Sequence, residues 1–306
     1  MSEYITVVGG VNVDIGGFSL APLRERDSNP GRVTLSLGGV GRNVAHNLCL
    51  LGQHVKLVSV MGKDANGAMV CEGCGAVGMD LSLSQTVYGG RTSTYLYIAD
   101  SDGDMRLAVA DMDIYSAITP EFLSRRMNAI NRGRAVVVDA NLPEESILYL
   151  ASHATVPVIA DPVSGAKASR LAGALPHLAA LKPNALEAGV LSGEDTSTFE
   201  GICRAAERLV EKGVQRVLIT MGERGVCCAD VSGQMVLPPL TARVRSATGA
   251  GDAFTAGLCI GLLNGWDLRR IGTLAQAAAA VAIDSERTVN PDMSMELLLE
   301  MAGDRL

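Results

Sequence analysis

The run Ser246-Ala247-Thr248-Gly249-Ala250-Gly251-Asp252-Ala253-Phe254 places two glycines and two small residues just ahead of a long helical pattern, with one carboxylate inside its first turn. Backbone N–H groups at a helix N-terminus flanked by glycine form a nest for an anion such as phosphate. Asp252 then stands where a carboxylate could accept a hydroxyl proton beside a group being transferred. The same run also reads as a plain Gly-rich turn with Asp252 as an ordinary helix-start residue, and a short glycine pattern alone does not separate the two.

A second glycine run, Gly38-Gly39-Val40-Gly41-Arg42-Asn43, also opens a helix, and Asn43 brings an amide that can both donate and accept. Asn12 and Asp14 follow the first strand-like run and offer an amide and a carboxylate to a vicinal diol. Ligands of open α/β sheets bind beyond the carboxyl ends of the strands, so these positions could converge on one polyol, or could simply shape a turn. Lys182-Pro183-Asn184-Ala185-Leu186-Glu187 puts an amide and a carboxylate on one helical face, where they could hold Mg²⁺ through water. Thr220-Met221-Gly222-Glu223-Arg224-Gly225 has the makings of a nucleotide loop, and Asp161-Pro162 and Asp139-Ala140-Asn141 end two further strands. Each of these also suits an N-cap or a turn.

Other devices are absent from the sequence. There is no G-x-x-x-x-G-K-[ST], no G-x-G-x-x-G after the first strand, and His46, His54, His153 and His177 lack the H-E-x-x-H spacing of a metallohydrolase. Cys71-Glu72-Gly73-Cys74 has no second Cys or His pair to complete a zinc site, and seven cysteines suit reduced thiols rather than a disulfide framework.

Elements of alternating type must position these residues. Ile5–Val8, Val55–Val60, Ala135–Val138, Val156–Ala160, Leu178–Leu181 and Val217–Thr220 are short apolar runs without polar alternation, as expected of strands buried on both faces of a parallel sheet. Helical patterns lie between them, over about 41–52, after Pro143 at a first-turn position, and over Phe199–Lys212. Gly249–Asn264 and Leu268–Asp284 predict two Ala-rich helices. Residues 13–37 and 88–112 break the rhythm with alternating strands such as Arg91–Ile98 and Met105–Val109, predicting a small half-exposed sheet of the kind that covers a site.

The 306 residues allow one large α/β domain or two small ones. With 33 acidic against 26 basic residues, the net charge of −7 argues against nucleic acid or an anionic membrane as partner. No apolar stretch reaches the roughly 18 residues of a spanning helix, and Met1–Val8 lacks an export signal, which places the protein in the cytoplasm.

Taken in order, these pieces resemble the ribokinase-like (PfkB) carbohydrate kinases over essentially the whole chain, Gly38–Asn43 matching the first family motif and Thr248–Asp252 the second. The resemblance implies an α/β fold, a ribokinase-like three-layer α/β/α domain spanning 1–306, with a mostly parallel central sheet and a small β lid from insertions at about 13–37 and 88–112. It implies ATP as phosphate donor, Mg²⁺ as cofactor, Asp252 as general base, and Gly249, Ala250 and Gly251 as the anion hole. Asn12, Asp14, Gly39 and Asn43 fall at sugar-binding positions, and Asn141 at a further substrate or phosphate contact. Asn184 and Glu187 fall where Mg²⁺ and the phosphates are organised, and Thr220, Gly222, Gly225, Thr248 and Gln276 on the nucleotide side. Asp27-Ser28-Asn29-Pro30-Gly31, Asp111-Met112-Asp113-Ile114 and Asn290-Pro291-Asp292 are most similar to the branch that phosphorylates the 5′-hydroxyl of pseudouridine. Ser28, Asn29, Arg91 and Thr92 of the lid are assigned to the base by polarity and position alone. A kinase of another sugar or nucleoside, or a non-catalytic sensor on the same fold, remains the alternative. Where many members read Asp-Thr before the second motif, this chain has Ser246-Ala247, and a neutral hydroxyl is the weaker cation ligand, so a monovalent-cation requirement is left open. The family's lids pair across subunits, which implies a homodimer.

Overall fold

The computed structural model describes residues 3–306; Met1 and Ser2, part of the segment read for an export signal, lie outside them. Fourteen strands are described: β1 (Ile5–Val8), β2 (Asn12–Ser19), β3 (Gly31–Gly38), β4 (Val55–Val58), β5 (Val60–Gly62), β6 (Gln85–Val87), β7 (Thr94–Ala99), β8 (Met105–Asp111), β9 (Ala135–Asp139), β10 (Val158–Asp161), β11 (Ala180–Leu181), β12 (Arg216–Thr220), β13 (Val226–Asp230) and β14 (Gly233–Leu237).

Eight of them form the main sheet in the order β14-β13-β12-β11-β10-β9-β1-β4. From β12 to β4 every neighbouring pair is parallel, and β13 and β14 add an antiparallel edge. The apolar runs lack alternation because both faces are covered. Ile5 and Val7 join one hydrophobic core and Val8 the other; Ala135 and Val137 separate in the same way from Val136 and Val138. The first core packs the sheet against the helices Val40–Leu50, Ala250–Leu263 and Leu268–Ile283, and the second against Glu144–His153, Ala185–Ser192 and Phe199–Glu211. The result is three layers, with the carboxyl ends of β1, β9, β10 and β12 along one rim. Among the described residues no helix is long and apolar enough to cross a membrane.

Several boundaries differ from the sequence reading. The run Val55–Val60 splits after Val58, where Ser59 donates its hydroxyl to the Gly9 carbonyl at 2.7 Å and the chain leaves to pair β5 with β6. The strand expected over Leu178–Leu181 shortens to β11, and that expected from Arg91 begins at Thr94. Pro143 is the N-cap of its helix rather than a first-turn residue.

A second sheet of four strands, in the order β3-β2-β7-β8, is built from the two stretches that broke the alternation. β2 pairs antiparallel with β3 and parallel with β7, in a register that places Asp14 beside Tyr95 and Gly16 beside Tyr97. Period-two alternation therefore puts Asp14, Tyr95 and Tyr97 on one face and Ile15, Leu35, Leu96 and Val109 on the other.

Candidate active site

The site forms where β1, β9 and the N-termini of two helices meet. Asp139, buried at the end of β9, accepts hydrogen bonds through Oδ2 from Gly10 N at 2.8 Å and Gly41 N at 2.7 Å, and through Oδ1 from Asn141 N at 2.8 Å. One carboxylate thereby ties the loop after β1 to the start of the helix Val40–Leu50. The two backbones approach so closely that a Cβ at Gly41 would lie 2.8 Å from Gly9 Cα. No side chain fits there.

Asn12 donates through Nδ2 to Asp14 Oδ1. Burial raises the Asp14 pKa, opposed by the Asn12 bond and the charge of Arg42. One turn into the helix Val40–Leu50, Asn43 donates through Nδ2 to Asp252 Oδ2 at 2.8 Å. Its Oδ1 accepts from Arg42 Nη1 at 2.6 Å, so both ends of the amide are engaged.

Asp252 lies in the first turn of the helix Ala250–Leu263. That helix is entered through Gly249, left-handed at φ +83°, where a Cβ would meet the Thr288 carbonyl oxygen at 1.8 Å. Only glycine permits this entry. Burial, aided by the charges of Asp161 and Asp139 and opposed by Asn43 and Lys182, pushes the Asp252 pKa up to about 7. A carboxyl so placed takes up a proton near neutral pH. Lys182 pairs with Asp161 at 2.9 Å, both groups buried, and Thr255 Oγ1 donates to the same Asp161 oxygen at 2.9 Å. The ammonium reaches the helix start, since a Cβ at Gly251 would lie 2.9 Å from Lys182 Nζ. Burial opposes that charge, but Asp161, Glu187 and Asp252 outweigh it and hold the Lys182 pKa above its ordinary value.

Beside this helix start opens a cleft of about 580 Å³ lined by Thr220, Gly222, Gly225, Ala250, Gly251 and Gln276, among other residues. Pro239, Leu240, Val244, Ala279, Ala280 and Ile283 give it apolar walls suited to a planar base. Gln276 donates through Nε2 to the Pro238 carbonyl at 3.2 Å, which fixes the amide in the wall. Asn184 bridges to Thr220 at the cleft edge and forms a capping box with Glu187, each side chain accepting from the other's backbone N–H. Glu187 is buried, which raises its pKa despite the Asn184 bond and Lys182. Among the described residues no three His, Cys, Asp or Glu side chains gather into a metal cage. A donor set this sparse fits a largely hydrated Mg²⁺ better than an ion held in an all-protein cage.

Comparison with known proteins decides which family has this arrangement. The model of the pfkB family of carbohydrate kinases matches residues 2–294. The chain belongs to the pfkB family. It is 36% identical over 301 residues to a pseudouridine kinase of Escherichia coli K12, covering 98% of this chain and 96% of that one. Among solved structures, a carbohydrate kinase from Agrobacterium tumefaciens superposes with a TM-score of 0.87 at 30% identity, over 98% of this chain and 97% of the other. Arabidopsis thaliana ribokinase, complexed with ribose and ATP, superposes with a TM-score of 0.87 at 24% identity and 99% coverage of both chains, which shows the ribokinase-like fold. This pfkB-family chain is a sugar or nucleoside kinase, a phosphotransferase with an alcohol group as acceptor.

Within this pfkB-family fold, Asn43 and Asp252 are bonded directly, and Gly249, Ala250 and Gly251 form the helix entry beside them. Gly39 precedes the helix that carries Asn43, with Asn12 and Asp14 on the facing strand. Thr248 is exposed, its N–H donating to Ser246 Oγ at 3.2 Å. Asn141 is buried and accepts from Lys167 Nζ at 2.6 Å. The four residues assigned to the base do not gather. Ser28 is exposed, and the Asn29 side chain closes its own loop through Arg24. Arg91 is 82% exposed and pairs with Asp111, while buried Thr92 spends its hydroxyl on Asp64 and Gly62. Sequence reasoning did not single out Asp139, Lys182, Asp161 or Arg42 for the site. The first three stand at strand ends within the motifs named above, so strand-end position was the available signal; Arg42 showed only as a charge inside a glycine run.

Proposed function

We propose that this pfkB-family kinase transfers the γ-phosphoryl group of ATP to the 5′-hydroxyl of pseudouridine. The buried Asp252, held by Asn43 at the glycine entry of a helix that borders the nucleotide-sized cleft, is the observation that carries the reading. Phosphoryl transfer needs positioning and charge stabilisation more than covalent help from the protein. Asp14 and Asn12 hold the ribose diol, and Asn43 aims the Asp252 carboxylate. Asp252 accepts the proton that leaves the hydroxyl. The N–H groups of Gly249, Ala250 and Gly251, with the Lys182 charge behind them, receive the phosphoryl oxygens. Through water, Glu187 and Asn184 would hold Mg²⁺, which would supply charge neutralisation at the phosphates. The four-stranded sheet acts as a lid that excludes competing water, Tyr95 and Tyr97 sharing the face of Asp14. Its opposite face, apolar and exposed, supports pairing of two lids in a homodimer.

Pseudouridine is chosen among ribosyl substrates because the relative at 36% identity over nearly the full length of both chains is a pseudouridine kinase. An ADP-release assay with Mg-ATP and pseudouridine, uridine, adenosine, ribose or fructose tests this. Turnover is expected with pseudouridine above the rest. Activity on ribose or fructose without activity on pseudouridine overturns the substrate assignment.

A further inference from the structure

We infer that Arg42 is a positioning residue that locks the orientation of the Asn43 amide and thereby keeps a hydrogen-bond donor on Asp252. Resting on the assignment of Asp252 as base, the inference begins with the two ends of that amide. Asn43 Nδ2 lies 2.8 Å from Asp252 Oδ2, and Oδ1 lies 2.6 Å from Arg42 Nη1. A guanidinium only donates, so it binds the oxygen end of an amide and refuses the nitrogen end. Were the amide to turn over, its NH₂ would face the guanidinium and its oxygen would face the carboxylate, two repulsive contacts in place of two bonds. Without Arg42 only one of these penalties remains, and the amide is freer to turn away from Asp252.

Burial confines Arg42 beside the amide it bonds. It is 9% exposed and sits one residue before Asn43 on the same helix, in a setting where burial opposes its charge. Asp14 and Asp252 compensate when ionised, Cys74 stays a neutral thiol because burial pushes its pKa up to about 11, and half-buried His46, also facing Arg42, is driven towards its neutral form. Around Asp252 the other facing charges are Asp161, Asp139 and Lys182. Asp161 and Lys182 neutralise each other as a pair, and Asp139 is spent on three backbone N–H groups. The Asn43 bond is therefore the adjustable support of the ionised base, and Arg42 sets it.

The test compares Arg42→Met, Arg42→Lys, Asn43→Ala and the double variant, each checked for wild-type melting behaviour. A hydrogen bond to a charged group predicts a fall in kcat of about 10- to 100-fold in Arg42→Met. The KM for Mg-ATP should stay within about twofold, and the acid limb of the kcat profile should move to higher pH. Arg42→Lys, which keeps a donor, should recover part of the loss. The double variant should be no worse than Asn43→Ala, because both changes break one chain of contacts. Additive losses, an unmoved acid limb, or a raised nucleoside KM with unchanged kcat each overturn the positioning role. A carbon-13 carboxyl titration of Asp252 in the ligand-free protein separates this from the base assignment. A midpoint higher in Arg42→Met and Arg42→Lys than in wild type supports positioning whatever the turnover, and an unchanged midpoint refutes it. Near-normal turnover in Asp252→Asn refutes the base alone.

Discussion

Asp252 is buried, and both that burial and the proton-accepting role proposed for it can be measured. Its pKa of about 7 makes the ionised base scarce in acid. The rate at limiting nucleoside should rise about tenfold per pH unit below that value and level off above it; a profile flat between pH 5 and 8 would remove Asp252 from proton transfer. Asp252→Asn keeps the shape and can still accept from Asn43, yet cannot take a proton. Turnover should fall by about 10²- to 10⁴-fold with ATP binding intact. The same residue affects stability, with a definite sign. A folded-state pKa raised from an unfolded value near 3.8 to about 7 means that the native state binds the proton more tightly. The neutral carboxyl is tolerated below about pH 4, and the penalty for ionising it grows until the pH passes 7. It then reaches about 4 kcal/mol, since each pH unit between the two values adds about 1.4 kcal/mol. Asp252→Asn should therefore raise the unfolding free energy at pH 8 by up to that amount, with the gain vanishing towards pH 4. Equal effects at both pH values in denaturant melts would contradict the assignment.

At the scale of elements, strands deliver side chains to one rim while the glycine loops bring the backbone in. Asp139 holds two of those loops through Gly10 and Gly41, so Asp139→Asn, which replaces an acceptor by a donor, should cost about 1–3 kcal/mol and loosen both. Nucleoside KM should rise while ATP KM changes little; a selective rise in ATP KM would show that these loops do not serve the acceptor side. The architecture was legible in the sequence because unalternating runs such as Ile5–Val8 and Ala135–Val138 can satisfy both faces only in a covered parallel sheet. Glycines followed by Asn43 and Asp252 were legible because helix starts and backbone approach leave local traces. Asp139 and Lys182 were not, since their partners stand 129 and 98 residues away for the carboxylate and at the end of the neighbouring strand for the ammonium. Local spacing carries no record of such contacts. The lid residues misled for a related reason. Polarity marked Thr92 as a ligand-facing group, whereas the fold buries it as the partner of Asp64, which takes both the Thr92 N–H and its hydroxyl.

For the whole molecule, the outer face of the four-stranded sheet is the feature that a single chain leaves unexplained. Val33, Leu35, Leu107 and Val109 are between 56% and 71% exposed, and Leu96 and Ile98 lie between them on the same face. A contiguous apolar face of this kind on a water-exposed sheet marks a surface that another surface covers. The first core and the helix Ala65–Ala76 reach this face only near Ile15 and Leu37, and the remainder stays open to a cover from outside the chain. A second copy presents the same apolar face, and a two-fold arrangement buries both at once. Dimerisation would also stiffen the sheet that carries Asp14, linking assembly to nucleoside binding. Leu35→Glu combined with Leu107→Glu puts two charges into that face without touching Asp14, Asn43 or Asp252. Light scattering should show a dimer for the native chain and a monomer for the variant. The nucleoside KM of the variant should rise while its ATP cleft keeps its affinity. A native chain that is monomeric at micromolar concentration, or a variant that dissociates with its nucleoside KM unchanged, would separate the lid from the assembly.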